Sequence, residues 1–251
     1  MIDSHCHIDL YKDPLSVARE AEKCKIHTVA VTHLPSHYRQ AKTHLAGFSF
    51  VRPALGLHPL VAHKHKGELG MFEEFCKEAE FIGEIGLDFS SGGRASRDQQ
   101  EHSFDFALNC ISKKRKFVTL HSRGAENEVL DRLHHYSVSN AVFHYFSGSR
   151  TQLLRLLDQG HYISINTAMI RTAKWQGFIE LVPLSRILTE TDGPFVKCGA
   201  GPSRPQDVIE VYRWLGIKLS KPLQGVIDQI DRNFRSIAFC GGKQTGEPSH
   251  E

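Results

Sequence analysis

Short apolar runs of strand length alternate along the chain with longer segments of helical period, the pattern of βα units around a parallel sheet. Eight runs read as strands: Met1–Asp3, Thr28–Thr32, Val51–Leu57, Phe81–Ile85, Phe117–Leu120, Ala141–Phe143, Tyr162–Ile165 and Ile187–Thr189. Between them, Pro14–Lys25 predicts an amphipathic helix with Pro14 in its first turn, and Met71–Glu80 puts Phe72, Phe75 and Cys76 on one face. Arg97–Lys114 and Ala125–His135 continue the alternation, and Arg204–Trp214 and Pro222–Phe239 close it with helices. Eight such units fit one α/β domain over residues 1–240, a (β/α)8 TIM barrel, while the alternation alone leaves a doubly wound open sheet as the other arrangement. Residues 241–251 are Gly-rich and polar and are expected to form a frayed, flexible C-terminal tail.

The balance of 31 Lys and Arg against 28 Asp and Glu gives a formal charge of +3, far from the excess of a chain that binds nucleic acid by charge alone. Anion binding is therefore expected to be local. Six cysteines show no CxxC pair and no framework spacing, and Met1 opens no signal peptide, which suits a reducing, cytoplasmic setting. No apolar stretch approaches the roughly 20 residues that span a bilayer, so no membrane role is expected. Sixteen histidines are the unusual count.

The polar residues gather where the predicted strands end. His5-x-His7 follows the first strand, and residues two apart on a strand point the same way. Gly56-Leu57-His58-Pro59 ends the third and Gly83-Glu84-Ile85-Gly86-Leu87-Asp88 the fourth, with the Glu84 carboxylate in an otherwise apolar segment. His121 ends the fifth, His144 the sixth and Glu190-Thr191-Asp192 the eighth. In a parallel barrel these ends converge on one mouth, where active sites of that architecture lie.

His5, His7, Glu84, His121, His144 and Asp192 are four imidazoles and two carboxylates, more than one tetrahedral ion needs. Two ions sharing a carboxylate account for the surplus, with Glu84 bridging, His5, His7 and Asp192 completing one site and His121 and His144 the other. Taken alone, His58, His121 or His144 is equally well a structural histidine satisfied by backbone. The other histidines, His33, His65 and His161 among them, lack paired spacing apart from His63-x-His65 and are expected at the surface.

These residues resemble the TatD family of metal-dependent deoxyribonucleases from Met1 to about Phe239. The motifs are Asp3-Ser4-His5-Cys6-His7-Ile8-Asp9, Gly56 to Pro59, Gly83 to Phe89, Leu120-His121-Ser122-Arg123, His144-Tyr145-Phe146-Ser147-Gly148 and Thr189 to Pro194. The resemblance implies a TIM barrel of metallo-dependent hydrolase type, a pair of divalent metal ions (Mg2+, Mn2+ or Zn2+) on the six residues above, and hydrolysis of DNA phosphodiesters. A narrower likeness, carried by Thr167-Ala168-Met169-Ile170 and Thr191-Asp192-Gly193-Pro194-Phe195, is to QatD, the TatD-like component of Qat anti-phage defence systems, and implies Qat-system partner proteins. The chain departs from the family pattern at Leu60, where many relatives carry a second histidine, at Tyr145, where cysteine is usual, and in the Gly/Ser-rich loop Ser90–Arg94.

The mechanism expected is in-line attack by a water deprotonated by Asp192 at the ions bridged by Glu84. His58, Arg123 and the Ser147 hydroxyl are candidate phosphate contacts, Arg123 being equally a solvated charge at a helix start. Asp88 and Glu190 are expected to orient ligand histidines from behind. Phe146 and Phe195 stack on bases or pack in the core. The modest charge favours a single strand or a free end of DNA. Two rival readings are an amidohydrolase or lactonase of the same barrel class, which often carries a bridging lysine where this chain has Glu84, and a TatD-like scaffold that binds nucleic acid or a defence partner with little turnover.

Overall fold

The alternation resolves into a ring of parallel strands in a computed structural model of the chain, which describes residues 1–239; the expected tail at 241–251 lies outside the described residues. The strands are β1 (Ile2–Cys6), β2 (His27–Ala30), β3 (Val51–Pro53), β4 (Leu55–Leu57), β5 (Phe81–Gly86), β6 (Phe117–His121), β7 (Val142–Phe143), β8 (Tyr162–Ile165) and β9 (Ile187–Thr189). They are hydrogen-bonded in the orders β1-β2-β3 and β4-β5-β6-β7-β8-β9, all parallel. A short antiparallel pair, β10 (Lys197–Cys198) with β11 (Gly201–Pro202), follows the last barrel strand.

Two junctions complete the ring. The run Val51–Leu57, predicted as one strand, is interrupted at Ala54: its first half pairs with β2 and its second with β5. Pro53 has no N–H to donate, and beyond Ala54 the chain leans from one neighbour to the other. There the Thr32 N–H meets Gly83 O at 3.2 Å and the Glu84 N–H meets Thr32 O at 3.3 Å. Gly56 makes that approach possible, because a Cβ on it would lie 1.6 Å from Thr32 O. At the other junction Ser4 Oγ donates to Thr189 O (3.0 Å), His7 N to Gly193 O (2.8 Å) and Asp192 N to His5 O (2.9 Å). The architecture is the (β/α)8 barrel, the doubly wound open sheet being excluded by these contacts between first and last strands.

Helices α1 (Pro14–Lys23), α2 (Pro35–His44), α3 (Leu69–Phe75), α4 (Arg97–Ile111), α5 (Glu126–His135), α6 (Arg150–Asp158), α7 (Ala173–Phe178), α8 (Val208–Lys218) and α9 (Leu223–Ala238) cover the outside. α1 starts where predicted because Asp13 accepts the Ser16 N–H at 3.0 Å and Pro14 sits in the first turn. The helix expected from Arg204 begins at Val208 instead, since Pro205–Asp207 turns as a 3-10 segment whose Asp207 carboxylate accepts the Arg204 N–H at 2.8 Å. α9 buries Val226, Ile230 and Phe234 along one stripe, and Phe234 packs on Phe81 and Phe117 at the base of the strands. Each side chain of that size stabilises by about 2 kcal/mol relative to exposure.

Candidate metal centre at the barrel mouth

β1 runs to Cys6, three residues beyond its predicted end, so His5 lies inside the strand. Alternation then separates the motif: Cys6 joins Val17, Ala18 and Ala30 in an outer apolar cluster, while His5 and His7 face inward, both buried. The His5 Nδ1 is 2.8 Å from Thr119 Oγ1, which fixes the ring and leaves Nε2 aimed at the centre, 3.4 Å from His7 Nε2.

Glu84, fully buried on β5, is the hub. Its Oε2 lies 3.4 Å from His5 Nε2, 3.2 Å from His7 Nε2 and 3.1 Å from His58 Nε2, and its Oε1 lies 2.7 Å from His121 Nδ1 and 2.9 Å from His144 Nε2. Asp192 approaches from the end of the last barrel strand, its Oδ1 3.8 Å from His7 Nε2. Three sets place ligand atoms within 4.8 Å of one another: His5, His7 and Glu84; His5, His144 and Asp192; His58, Glu84 and His121. Glu84 Oε2 is buried and satisfied by no hydrogen bond, as is Nδ1 of His7 and of His144. Nitrogen and carboxylate oxygen donors turned inward on such an orphaned oxygen fit a divalent cation.

Burial pushes the Glu84 carboxyl up, but the imidazoles of His58, His144 and His5 outweigh it and hold the group well below the usual carboxylate range. Burial pulls the His144 imidazole down, yet Glu84 and Glu190 carry it well above its ordinary value. His5 goes the other way: burial, with His144 adding to it, leaves it well below. Burial lifts Asp192 to about 7 against the opposing pull of His144, and Glu190 adds to the rise. One cluster thus holds carboxylates and imidazoles of contrasting basicity side by side.

Behind the cluster, Asp88 Oδ2 meets His121 Nε2 at 2.8 Å, and its other oxygen accepts the Ser90 N–H at 2.9 Å. The Ser90–Arg94 loop is thereby tied down, and Gln100 reinforces it by donating to Gly93 O at 2.8 Å. Glu190, fully buried, accepts from Tyr145 N (3.0 Å), Asn166 Nδ2 (2.8 Å) and the Ser164 hydroxyl, and lies 3.8 Å from His144 Nδ1. Asp3 accepts Thr191 N at 2.9 Å and Thr191 Oγ1 at 2.6 Å, holding the turn in which Asp192 has a φ of 49°.

His58 Nδ1 accepts the Leu60 N–H at 3.2 Å, so the neutral ring carries its proton on the inward-facing Nε2, which suits a hydrogen-bond donor more than a cation ligand. Arg123 is exposed. The Ser147 hydroxyl donates to Glu126 Oε1 at 2.9 Å. Phe146 is core, whereas Phe195 is 61% exposed and stands edge-on to His7 with ring centres 5.0 Å apart. Three histidines expected at the surface are not there. His65 and His161 are buried, and His33, following β2, packs 4.5 Å from His58 and 5.0 Å from His7 with its Nε2 buried and without a hydrogen-bond partner. His33 lies one residue past a predicted strand end, the same position that singled out His121 and His144, so its place was available to that reasoning.

The family model described as TatD related DNase matches residues 2–238. The chain belongs to the TatD family. This TatD protein is a metal-dependent hydrolase of that type. It is 25% identical to human deoxyribonuclease TATDN3 over 213 residues, 77% of this chain and 78% of that one. To the metal-dependent hydrolase YjjV of Escherichia coli it is 26% identical over 228 residues, 84% and 87% of the two chains. In fold it matches the YjjV crystal structure with a TM-score of 0.84 over 95% of this chain and 97% of that one, and a TatD family hydrolase of Entamoeba histolytica with a TM-score of 0.78 over 95% and 98%. Among the described residues of this TatD protein no helix is long and apolar enough to cross a membrane.

Proposed function

We propose that this TatD-family hydrolase cuts DNA phosphodiester bonds with the help of two divalent cations, for which Glu84 would be the shared ligand. The observation that carries the reading is the division of one carboxylate: Oε2 faces His5, His7 and His58, and Oε1 faces His121 and His144. Magnesium, manganese or zinc held there would supply a Lewis acid that lowers the pKa of water toward about 7 and neutralises phosphate charge. His5 and His7 with Asp192 would hold one cation, His121 and His144 the other, and Asp192, at the rim, accepts the proton of the attacking water on Oδ1. His58 Nε2 and Arg123 hold phosphate oxygens, with the Ser147 hydroxyl beside them, and Asp88 and Glu190 keep the His121 and His144 rings in position. Exposed Phe195 offers a face on which a base can stack. A net charge of +3 suits a single strand or a free end entering the mouth better than a wrapped duplex.

The chain acts in the cytoplasm in anti-phage defence beside Qat-system partners; the likeness of Thr167–Ile170 and Thr191–Phe195 to QatD supports this assignment. Purified protein with manganese is expected to cleave end-labelled single-stranded DNA in preference to RNA and to a panel of esters and amides. Glu84→Ala and Asp192→Ala should each lose at least about 100-fold in rate while remaining folded by circular dichroism. Full activity in either variant, or preferential turnover of an amide or lactone, overturns the proposal.

A further inference from the structure

Two exposed aromatic side chains stand beside the candidate ligands, one for each oxygen of Glu84. Phe195, three residues past Asp192, is 61% exposed with its ring centre 5.0 Å from that of His7, whose Nε2 lies 3.2 Å from Glu84 Oε2. Tyr145 directly follows His144 and is 41% exposed, its ring centre 6.4 Å from that of His144, whose Nε2 lies 2.9 Å from Glu84 Oε1. The two rings meet these imidazoles at 82° and 76°, so neither lies stacked on its neighbour, and among the described residues no other ring covers them.

Tyr145 holds its place against its own backbone preference. Its φ of 42° is in the left-handed region that a bulky side chain rarely enters, and Glu190 Oε1 secures the turn by accepting the Tyr145 N–H at 3.0 Å. His144 before it reaches the centre and Phe146 after it is buried in the core, so the turn between them carries the phenol to the rim. Burial raises the Tyr145 hydroxyl, with Asp192 and Glu190 adding and His144 and Arg123 opposing, which puts the phenol over the same mouth as those four groups.

We infer that Tyr145 and Phe195 are paired base platforms, each stacking one of the two nucleosides that flank the scissile phosphate. The inference rests on the nuclease reading above and adds which side chains grip the substrate on either side of the cut. A phosphate seated over the divided Glu84 carboxylate has one ring on its His7 side and the other on its His144 side, and a diester carries one nucleoside in each direction. Every base has a face to stack, so the platforms impose no sequence. They do impose strandedness, because a base within a duplex is already paired and stacked.

The test uses three dinucleotides in manganese, each with a single diester: thymidylyl-thymidine, and two in which a tetrahydrofuran abasic residue replaces the 5′ or the 3′ thymidine. In the unaltered protein, loss of either base is expected to raise KM about tenfold. Tyr145→Asn removes the ring but keeps a residue that tolerates positive φ. It should raise KM about tenfold for thymidylyl-thymidine and for one abasic dinucleotide, and leave it unchanged for the other, which lacks the base that Tyr145 stacks. Phe195→Ala should show the opposite pairing, and Tyr145→Phe, which retains the platform, should match the unaltered protein. Equal losses on all three dinucleotides in Tyr145→Asn, no loss on any, or the same loss in Tyr145→Phe overturns the inference. If the unaltered protein cuts none of the three, the nuclease reading falls and the platforms are judged by binding alone, from the quenching of 2-aminopurine in a single-stranded tetranucleotide. Affinity at least tenfold weaker in Tyr145→Asn and restored in Tyr145→Phe upholds them; equal affinity, or no binding by the unaltered protein, overturns them.

Discussion

His161 and Glu84 are both buried ionisable side chains, and their surroundings send them to opposite charge states. His161 precedes β8 with its Nδ1 accepting the Ala141 N–H at 3.3 Å and with Phe143 beside it. Burial, with Arg186 adding, pushes its imidazole down to about 4, so it folds neutral. In the unfolded chain a histidine titrates near 6.5, and therefore the unfolded state gains a proton first as pH falls. Stability from this residue is intact above about pH 6.5 and declines toward pH 4, by about 3 kcal/mol in full. Urea unfolding midpoints of the unaltered protein should fall across that window, and His161→Asn, which keeps an acceptor and loses the titration, should fall less steeply; parallel slopes would refute the assignment. Residue types at the site were legible in the sequence because Glu84 and the strand-end histidines interrupt apolar runs. The burial of His65 and His161 was not, since the atoms that enclose them come from elements distant along the chain.

Elements were legible where local chemistry marks their ends. Asp13 and Pro14 announce α1; α6, which no expectation named, is likewise opened by a local cap, Ser149 accepting the Gln152 N–H while Gln152 Oε1 takes the Ser149 N–H in return. β1 was cut short because His5 counts as polar by type although it is fully buried, and hydrophobic periodicity cannot register an imidazole committed to a site. Gly86 shows the same limit in the backbone. It stands between Glu84 and Asp88 with φ of 139°, and a Cβ on it would lie 2.0 Å from His121 O, the oxygen that accepts the Leu87 N–H at 3.0 Å. No side chain fits there without moving β5 away from β6, which would separate Glu84 from His121. Gly86→Ala is accordingly expected to destabilise by at least about 3 kcal/mol and to abolish metal-dependent cleavage with every ligand residue still present. Thermal unfolding measures the first effect, and an unchanged midpoint would show that the strand pair yields at little expense.

Barrel closure is what makes six separate strand ends one site, and it would couple metal binding there to the stability of the whole molecule. His5 and His7 reach Glu84 only because β1 meets β9 and the turn after it, through Ser4 on Thr189, His7 N on Gly193 and Asp192 N on His5. In the unfolded chain those donors are dispersed, so a cation that binds the assembled cluster favours the folded state by mass action. At a free concentration 100 times the dissociation constant the gain is about 2.7 kcal/mol. For a chain of this size that corresponds to a rise of about 5–10 °C in the unfolding midpoint. Scanning fluorimetry of the unaltered protein in excess manganese against excess EDTA should show this rise, and it should grow with manganese concentration. In Glu84→Ala the histidines remain but lose the carboxylate that both halves of the cluster share, and the two scans should nearly coincide. A midpoint indifferent to manganese in the unaltered protein would mean that the mouth of the barrel holds no cation, whatever activity the chain displays.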